Sequence, residues 1–233
     1  KNLIQYIEGD PRFTGLRRKH RDLVEVWVRK EYRNLNRLAR WGLNVPHPHG
    51  VHKNVLVMDY VGSATSPSPK LRDVGVEAPQ VVYEQLLRFL AVSWQKANMV
   101  HGDFSPYNIL WHDGKACVID VGQGVVDSHP KAQEFLVRDV TRLVEWGQKN
   151  ALDVNLADAM YEVLNMDLTD VEQVELMEGL LFFPDDVFVI GKFHQFRNRF
   201  FVLWVNLRRF HPTVAPFLGY LRQPGHEPFK PGR

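Results

Sequence analysis

Apolar residues recur at helical spacing in the first part of the chain. Between residues 22 and 39 they occupy positions 23, 26, 27, 32, 35 and 38, with arginines and lysines between them, and Gly42 follows. This pattern predicts an amphipathic helix. The stretch 45–48 contains two prolines and is predicted to be extended, because proline disfavours the helical region in the residue before it. The apolar run 54–60 predicts a buried strand.

Turn and helix signals alternate through the rest of the chain. Residues 62–79 contain three prolines, three serines and two glycines, which predicts an irregular connection. A second long helix is predicted for residues 80–98. Beyond Pro130 the pattern is helical again, over residues 132–147, 155–164, 169–180 and 184–210.

A polar loop, 101–108, separates the second helix from a predicted hairpin. Two short apolar strands, 109–111 and 116–119, flank Asp113-Gly114, a dipeptide typical of tight hairpin turns. The hairpin returns the chain to the polar loop, so residues at the two ends of this region are expected to lie side by side.

Composition excludes several classes of protein. The chain has 233 residues, 45% hydrophobic and 24% charged, which is enough for one large or two small domains with a real core. No apolar run approaches the length of a membrane span, and residues 1–13 do not resemble an export signal. Cys117 is the single cysteine, which excludes an intramolecular disulfide and a cysteine-based zinc site. We therefore expect a protein of the reducing cytoplasm with no membrane partner.

Asp103, Asn108 and Asp120 form the most informative polar group. Asp103 begins the loop, Asn108 lies five residues on, and Asp120 follows the hairpin. Carboxylate and amide oxygens are the ligands that Mg²⁺ prefers, and phosphoryl transfer requires a further carboxylate near the attacking hydroxyl or water. Capping of turns and strand ends is the alternative use of such residues. The terminal Asp-x-Gly favours the phosphoryl-transfer interpretation.

The segments 101–110 (HGDFSPYNIL) and 119–123 (IDVGQ) resemble the catalytic and metal-binding loops of RIO-type atypical protein kinases. The resemblance extends to other motifs in the same order and points to the Rio-one branch of archaea and eukaryotes. It covers residues 1 to about 150, through segments 6–13, 27–35, 55–62, 129–130, 134–136 and 138–139.

By this resemblance, Asp103 is the catalytic aspartate, Asn108 a metal ligand and Asp120 the metal-binding aspartate. The resemblance also implies that Asp120 accepts phosphate as an aspartyl-phosphate. A carboxylate is a reasonable nucleophile for such a step. The implied cofactors are ATP and Mg²⁺. The implied role is that of a kinase or ATPase acting on a maturing small ribosomal subunit, through its proteins or its ribosomal RNA.

The resemblance also predicts a nucleotide site. Glu31 matches the helix glutamate that pairs with the nucleotide-binding lysine, and an exposed helical charge is the alternative. Met58 matches the residue behind the adenine pocket, although it would equally suit an ordinary strand core. The remaining expected nucleotide contacts are Asp59, Tyr60 and Val61 of the hinge and Ser105 and Tyr107 of the catalytic loop.

The implied fold is α+β, a protein-kinase-like two-lobe domain with a C-terminal helical extension. We predict a partial N-lobe and hinge over residues 1–61, a C-lobe core over 62–150 and the extension over 151–233. No segment matches the glycine-rich strands or the strand lysine that bind ATP phosphates. We expect these elements to precede Lys1, and we assign no lysine to ATP.

The C-terminal region is basic and aromatic. Residues 182–210 contain nine aromatic residues and five lysines or arginines. We interpret them as a helix that packs its aromatic face on the domain while the arginines extend into water. Contact with ribosomal RNA is the alternative, because aromatic and basic residues together can stack on bases and bind phosphates.

Two other functions remain open from the sequence. A small-molecule phosphotransferase of the aminoglycoside or choline kinase type shares a His-Gly-Asp loop with a downstream Asn and Asp. A kinase fold without activity could also serve as a binding module, which the missing phosphate-binding elements favour. The presence of Asp103, Asn108 and Asp120 together argues against the second alternative.

Overall fold

The computed structural model describes residues 20–63, 65–175, 193–196 and 200–205. The first helix, α1, spans His20–Ala39 and agrees with the helix predicted from residue 22 to residue 39. It is followed by an antiparallel hairpin of β1 (Pro48–His52) and β2 (Val55–Asp59), so the predicted strand at 54–60 is confirmed.

The strands β7 (Phe193–Phe196) and β8 (Phe200–Val205) extend this hairpin into a four-stranded sheet. β8 pairs with β2 in parallel, β7 pairs with β8 in antiparallel, and the order is β1-β2-β8-β7. The helix predicted for 184–210 is therefore wrong at these ten residues. The run FFVLWV at 200–205 consists of aromatic, β-branched and other apolar residues, a composition typical of β-strands. It pairs with the edge of β2. The rest of 184–210 lies outside the described residues.

The second part of the fold is mainly helical. Its helices are α2 (Pro79–Gln95), α3 (Ala132–Lys149) and α4 (Leu156–Asn165), each close to a predicted helix. Proline at the first position of α2 suits a helix start, since that N–H has no helical partner. The side chain of Asn155 caps α4 by accepting the N–H of Asp158 at 3.0 Å.

Two small antiparallel sheets lie between α2 and α3 in the chain. β3 (Met99–Val100) pairs with β6 (Val125–Val126), and β4 (Ile109–His112) pairs with β5 (Lys115–Val118). The turn between β4 and β5 has positive φ at both Asp113 and Gly114, as an Asp-Gly hairpin turn requires. The predicted hairpin is confirmed.

The helix predicted for 169–180 is wrong over 169–175, which are not helical. Backbone donors that a helix would use internally bind elsewhere. Thr169 N–H donates to Asp167 Oδ1, and Val174 N–H donates to the carbonyl of Arg40 just beyond the end of α1. Residues 176–180 lie outside the described part of the chain.

One hydrophobic cluster joins the two parts. It includes residues from α1, β2, α2, the polar loop and α3. The polar loop therefore packs against the hydrophobic core through Phe104. Buried members are Leu35, Leu38, Leu56, Leu86, Leu90, Phe104, Phe135 and Leu143. Among the described residues no helix is long and apolar enough to cross a bilayer.

Candidate active site

Side chains of α3 hold the backbone of the polar loop between β3 and β4. Asp139, which is fully buried, accepts the N–H of Gly102 through Oδ2 at 2.7 Å and the N–H of Phe104 through Oδ1 at 3.0 Å. The neighbouring guanidinium of Arg138 donates to the carbonyl of Gly102. Burial raises the pKa of Asp139 to about 7, and the two backbone donors act against that rise. Two consecutive residues of α3 therefore fix the backbone on both sides of Asp103.

His101 connects this loop to the end of β5. Its Nδ1 accepts the N–H of Asp103 at 3.2 Å, so the proton lies on Nε2, which donates to the carbonyl of Ile119 at 3.1 Å. Burial lowers the pKa of His101 to about 4, which keeps the ring neutral in this role. Ile119 N–H in turn donates to the carbonyl of Asn108 at 2.9 Å. Asp120 is the next residue, so its loop lies directly beside Asp103 and Asn108.

Three side chains in the described part of the chain donate to Asp103. Arg142 Nη1 lies 2.8 Å from Oδ1, and Gln123 Nε2 lies 2.8 Å from Oδ2. Asn108 Nδ2 donates to the backbone carbonyl of Asp103 at 2.9 Å and approaches Oδ2 at 3.4 Å. Because Nδ2 of Asn108 faces Asp103, the amide oxygen is the atom that remains for a cation.

Asp120 has a left-handed backbone conformation, with φ 57° and ψ 56°. This conformation is uncommon for a residue other than glycine and is concentrated at functional sites. A short 3-10 turn, Val121–Gln123, follows at once and is entirely buried. The turn brings the side chain of Gln123 to Asp103. A hydrogen bond between these two residues therefore joins the Asp120 loop, residues 120–124, to the polar loop 101–108.

The same loop is bound to one face of α1. Lys30 Nζ donates to the carbonyl of Gly122 at 3.1 Å, and Asn34 Nδ2 donates to the carbonyls of Val121 and Gly124 at 2.7 and 3.0 Å. Both side chains are completely buried. Their spacing of four residues places them on one face of the helix. α1 and the Asp120 loop are therefore a single packed unit.

Glu31 lies at the same interface, with 8% of its surface exposed. Burial, and after it the negative charge of Asp120, raise the pKa of Glu31 to about 8. The alternative of an exposed helical charge is therefore wrong. Pairing of Glu31 with a nucleotide lysine stays a prediction.

The expected adenine hinge begins at the last residue of β2. Met58 is buried in the core cluster, and Asp59, Tyr60 and Val61 are half-buried. The N–H of Asp59 donates to the carbonyl of His47, and the carbonyl of Val61 accepts the N–H of Ser68. The contact of this segment with adenine stays a prediction.

Ser105 and Tyr107 have different surroundings. The carbonyl of Ser105 accepts the N–H of Asn108 at 2.8 Å and thereby shapes the short turn that carries Asn108. Tyr107 is 55% exposed, and the guanidinium of Arg72 lies over its ring at 4.6 Å. Ser105 therefore shapes the loop, whereas Tyr107 lies at its surface. A nucleotide contact of either residue stays a prediction.

Comparison with known proteins decides the family. The family model described as RIO domain matches residues 1–160. The RIO-type serine/threonine-protein kinase Rio1 of Haloferax volcanii is 40% identical over 167 residues, 72% of this chain and 57% of that protein. The Rio1 of Thermoplasma acidophilum is 40% identical over 154 residues, 66% of this chain and 81% of that protein. The chain belongs to the RIO family.

A solved structure supports the kinase-like α+β fold of this RIO domain. The complex of the Rio2 kinase from Chaetomium thermophilum, described as an ADP/Mg²⁺-phosphoaspartate complex, aligns with a TM-score of 0.52 at 23% identity. The alignment covers 63% of this chain and 46% of the Rio2 chain. The predicted kinase-like α+β fold class is confirmed, whereas the extension predicted to be helical contains the strands β7 and β8.

The sequence analysis did not predict the residues that hold the polar loop 101–108 in place. The family resemblance includes Arg138, Asp139 and Gln123 but gives none of them a role. Arg142 follows Arg138 by one helical turn, which places it on the same face of α3. The available signal was the presence of Arg138, Asp139 and Arg142 at helical spacing in the predicted helix 132–147.

Proposed function

We propose that this RIO domain binds ATP with Mg²⁺ and transfers the γ-phosphate to a Ser/Thr hydroxyl or to its own Asp120. The adjacency of Asp103, Asn108 and Asp120 in two hydrogen-bonded loops carries the proposal. The Rio2 relative crystallised with ADP, Mg²⁺ and a phosphoaspartate supports the same chemistry.

The donor set at this site suits a hard divalent cation. Asp120 supplies carboxylate oxygens and Asn108 supplies an amide oxygen, and Mg²⁺ commonly completes such a set with phosphate oxygens and water. When bound, the ion would neutralise charge on the phosphates. In the described part of the chain, no group of three or more His, Cys, Asp or Glu residues is arranged to hold a metal. Asp120 and Asn108 would therefore hold the cation together with the phosphate oxygens of the nucleotide.

Asp103 has the position and restraint expected of an orienting carboxylate. In transfer to Ser or Thr, the acceptor oxygen forms a bond to phosphorus, the bond to the ADP oxygen breaks, and the hydroxyl proton passes to Asp103. In transfer to Asp120, a carboxylate oxygen attacks and no proton moves. Water then attacks the phosphorus of the aspartyl-phosphate, its proton passes to Asp103 and the bond to the Asp120 oxygen breaks, so the net reaction is ATP hydrolysis.

We further propose that the chain belongs to the Rio-one branch and acts on maturing small ribosomal subunits in the cytoplasm. Rio1 proteins of two archaea are 40% identical to the chain and support this assignment, while the Rio1 of Methanocaldococcus jannaschii is 31% identical and the human RIO3 protein 35% identical over 162 residues. Basic residues outnumber acidic ones eleven to five in residues 1–40 and eight to one in 188–233, which suits contact with RNA phosphates. Salt-dependent cosedimentation with small-subunit precursors tests this assignment, and binding to mature subunits alone would contradict it.

The central experiment measures Mg²⁺-dependent ATP turnover and hydroxylamine-labile phosphate on the full-length protein. Asp103→Asn is expected to abolish turnover, and Asp120→Asn is expected to abolish the labile label. Phosphate found only on a small alcohol would indicate a small-molecule phosphotransferase instead. Absence of both nucleotide binding and turnover, with RNA binding retained, would indicate a binding module.

A further inference from the structure

Each oxygen of the Asp103 carboxylate accepts a hydrogen bond from a different side chain. Arg142 Nη1 lies 2.8 Å from one oxygen, and Gln123 Nε2 lies 2.8 Å from the other. The side chain of Asp103 is only 13% exposed. With a separate donor on each oxygen, rotation of the carboxylate breaks at least one hydrogen bond, and bonds to a charged group are stronger than neutral ones.

The two donors belong to different elements, α3 and the loop that follows Asp120, and both elements must keep their positions relative to Asp103. Arg142 is on α3, one turn after Asp139, which fixes the loop backbone. Gln123 ends the turn that begins after Asp120. A displacement of either α3 or the Asp120 loop would therefore move a donor away from Asp103.

The side-chain amide of Gln123 carries a cost in folding stability. It is 7% exposed, and within the described residues its Oε1 is buried without a hydrogen-bond partner. A buried polar atom left without a partner costs about 1–3 kcal/mol. Rotating the amide by half a turn would not help, because it would face Oε1 toward the carboxylate of Asp103 and remove the Nε2 donor. Methionine would occupy a similar volume without this cost.

We propose that Gln123 and Arg142 are positioning residues that hold the Asp103 carboxylate in its working orientation, Gln123 at the expense of fold stability. This inference rests on the proposed function, because Asp103 acts in the same phosphoryl transfer. It assigns to the glutamine of the Asp-Val-Gly-Gln segment a task distinct from metal binding.

Kinetic and thermal measurements on the full-length protein separate positioning from a structural role. Gln123→Met is expected to lower kcat by about 10- to 100-fold, the scale of a misplaced catalytic group. The KM for ATP should stay within twofold of its original value, and the melting temperature should be unchanged or higher. Arg142→Met should also lower kcat, and Arg142→Lys should recover part of it, since the ammonium restores the charge but not the fork geometry.

Arg88→Met is the matched control. It removes an arginine of α2 that pairs with Asp170 at the surface, so kcat should not change. An unchanged kcat in Gln123→Met would overturn the proposal. So would a loss of kcat that is matched by a loss of melting temperature, because that result indicates a folding role.

A spectroscopic measurement keeps the inference independent of turnover. The side-chain amide resonance of Gln123 in a ¹H–¹⁵N spectrum should shift in Asp103→Ala, which removes the carboxylate. It should also shift in Arg142→Met, where the carboxylate loses its other donor. Shifts in a protein without turnover would support the positioning and contradict the proposed function. An unmoved resonance in both variants would contradict the positioning, whatever the turnover.

Discussion

Lys30 of α1 donates through Nζ to the backbone carbonyl of Gly122, 3.1 Å away, at a point where the lysine side chain is entirely buried. Burial of an ammonium group is unfavourable unless polar groups surround it. The carbonyl of Gly122 is one such group, and the ring of Trp27, 5.4 Å from Nζ, adds a cation–π contact. The position of α1 and the shape of the Asp120 loop are therefore set together.

The first prediction concerns Gly122→Ala. A Cβ at this position would lie 2.6 Å from Nε1 of Trp27, which is buried and cannot move freely. We expect a loss of about 1–3 kcal/mol in the free energy of unfolding, typical of overpacking, and weaker binding of Mg²⁺-nucleotide as the loop shifts. Urea denaturation and nucleotide titration check both effects. Gly75→Ala is the control, since nothing lies within 4 Å of its Cβ, and equal stability of the two variants would contradict the prediction.

Asn34 offers a second test of the same interface. Asn34→Ala removes the donor to two carbonyls, those of Val121 and Gly124, and leaves them in a buried site. We expect a loss of about 2–4 kcal/mol, measured as a lower urea midpoint at unchanged slope. Asn36→Ala on the same helix is the control, because among the described residues the side chain of Asn36 donates to the carbonyl of Tyr32 alone, one turn earlier. Similar losses in the two variants would show that Asn34 does not anchor the loop.

The third prediction concerns the support of the catalytic loop by α3. In Asp139→Asn one carboxylate oxygen is replaced by an NH₂ group that would face the N–H of Gly102 or Phe104. One backbone donor then loses its acceptor, which costs about 1–3 kcal/mol and releases the loop around Asp103. The expected result is a lower melting temperature together with a lower kcat. Asp170→Asn, at an exposed ion pair, should change neither by a comparable amount.

Local patterns predicted much of this architecture. The hairpin followed from Asp113-Gly114, and α1, α2, α3 and α4 followed from helical periodicity, since these signals depend on neighbours in the chain. The proximity of Asp103, Asn108 and the Asp120 loop was also predictable, because the hairpin returns the chain to the polar loop, and the catalytic roles of these residues stay predictions.

Contacts between distant segments were not predictable in this way. Arg142 lies 39 residues after Asp103, and no periodicity in the sequence shows that the two side chains meet. The segment 200–205 was misread because its pairing with β2 depends on an edge that is far away in the chain. Residues 169–175 were misread because a hydrogen bond from Val174 to Arg40 competes with helix formation.

The last prediction is a pH dependence that arises from Glu31. Burial and the charge of Asp120 raise its pKa in the folded protein to about 8, from 4.5 in the unfolded chain. Between these values the folded state binds a proton that the unfolded state has released. The contribution of Glu31 to stability is therefore fully favourable below pH 4.5 and is lost as the pH rises toward 8.

Glu31→Gln removes this dependence because glutamine does not ionise. The free energy of unfolding of the variant, relative to the original protein, should increase by about 1.4 kcal/mol per pH unit across this window, the slope for one proton. Other groups that titrate, such as His101 and Asp139, are present in both proteins and cancel in the difference. Denaturation from pH 4.5 to 8 without nucleotide or divalent metal checks the slope. A difference that does not vary with pH would mean that Glu31 is ionised in the folded state, as it would be if a cation lay beside it and Asp120.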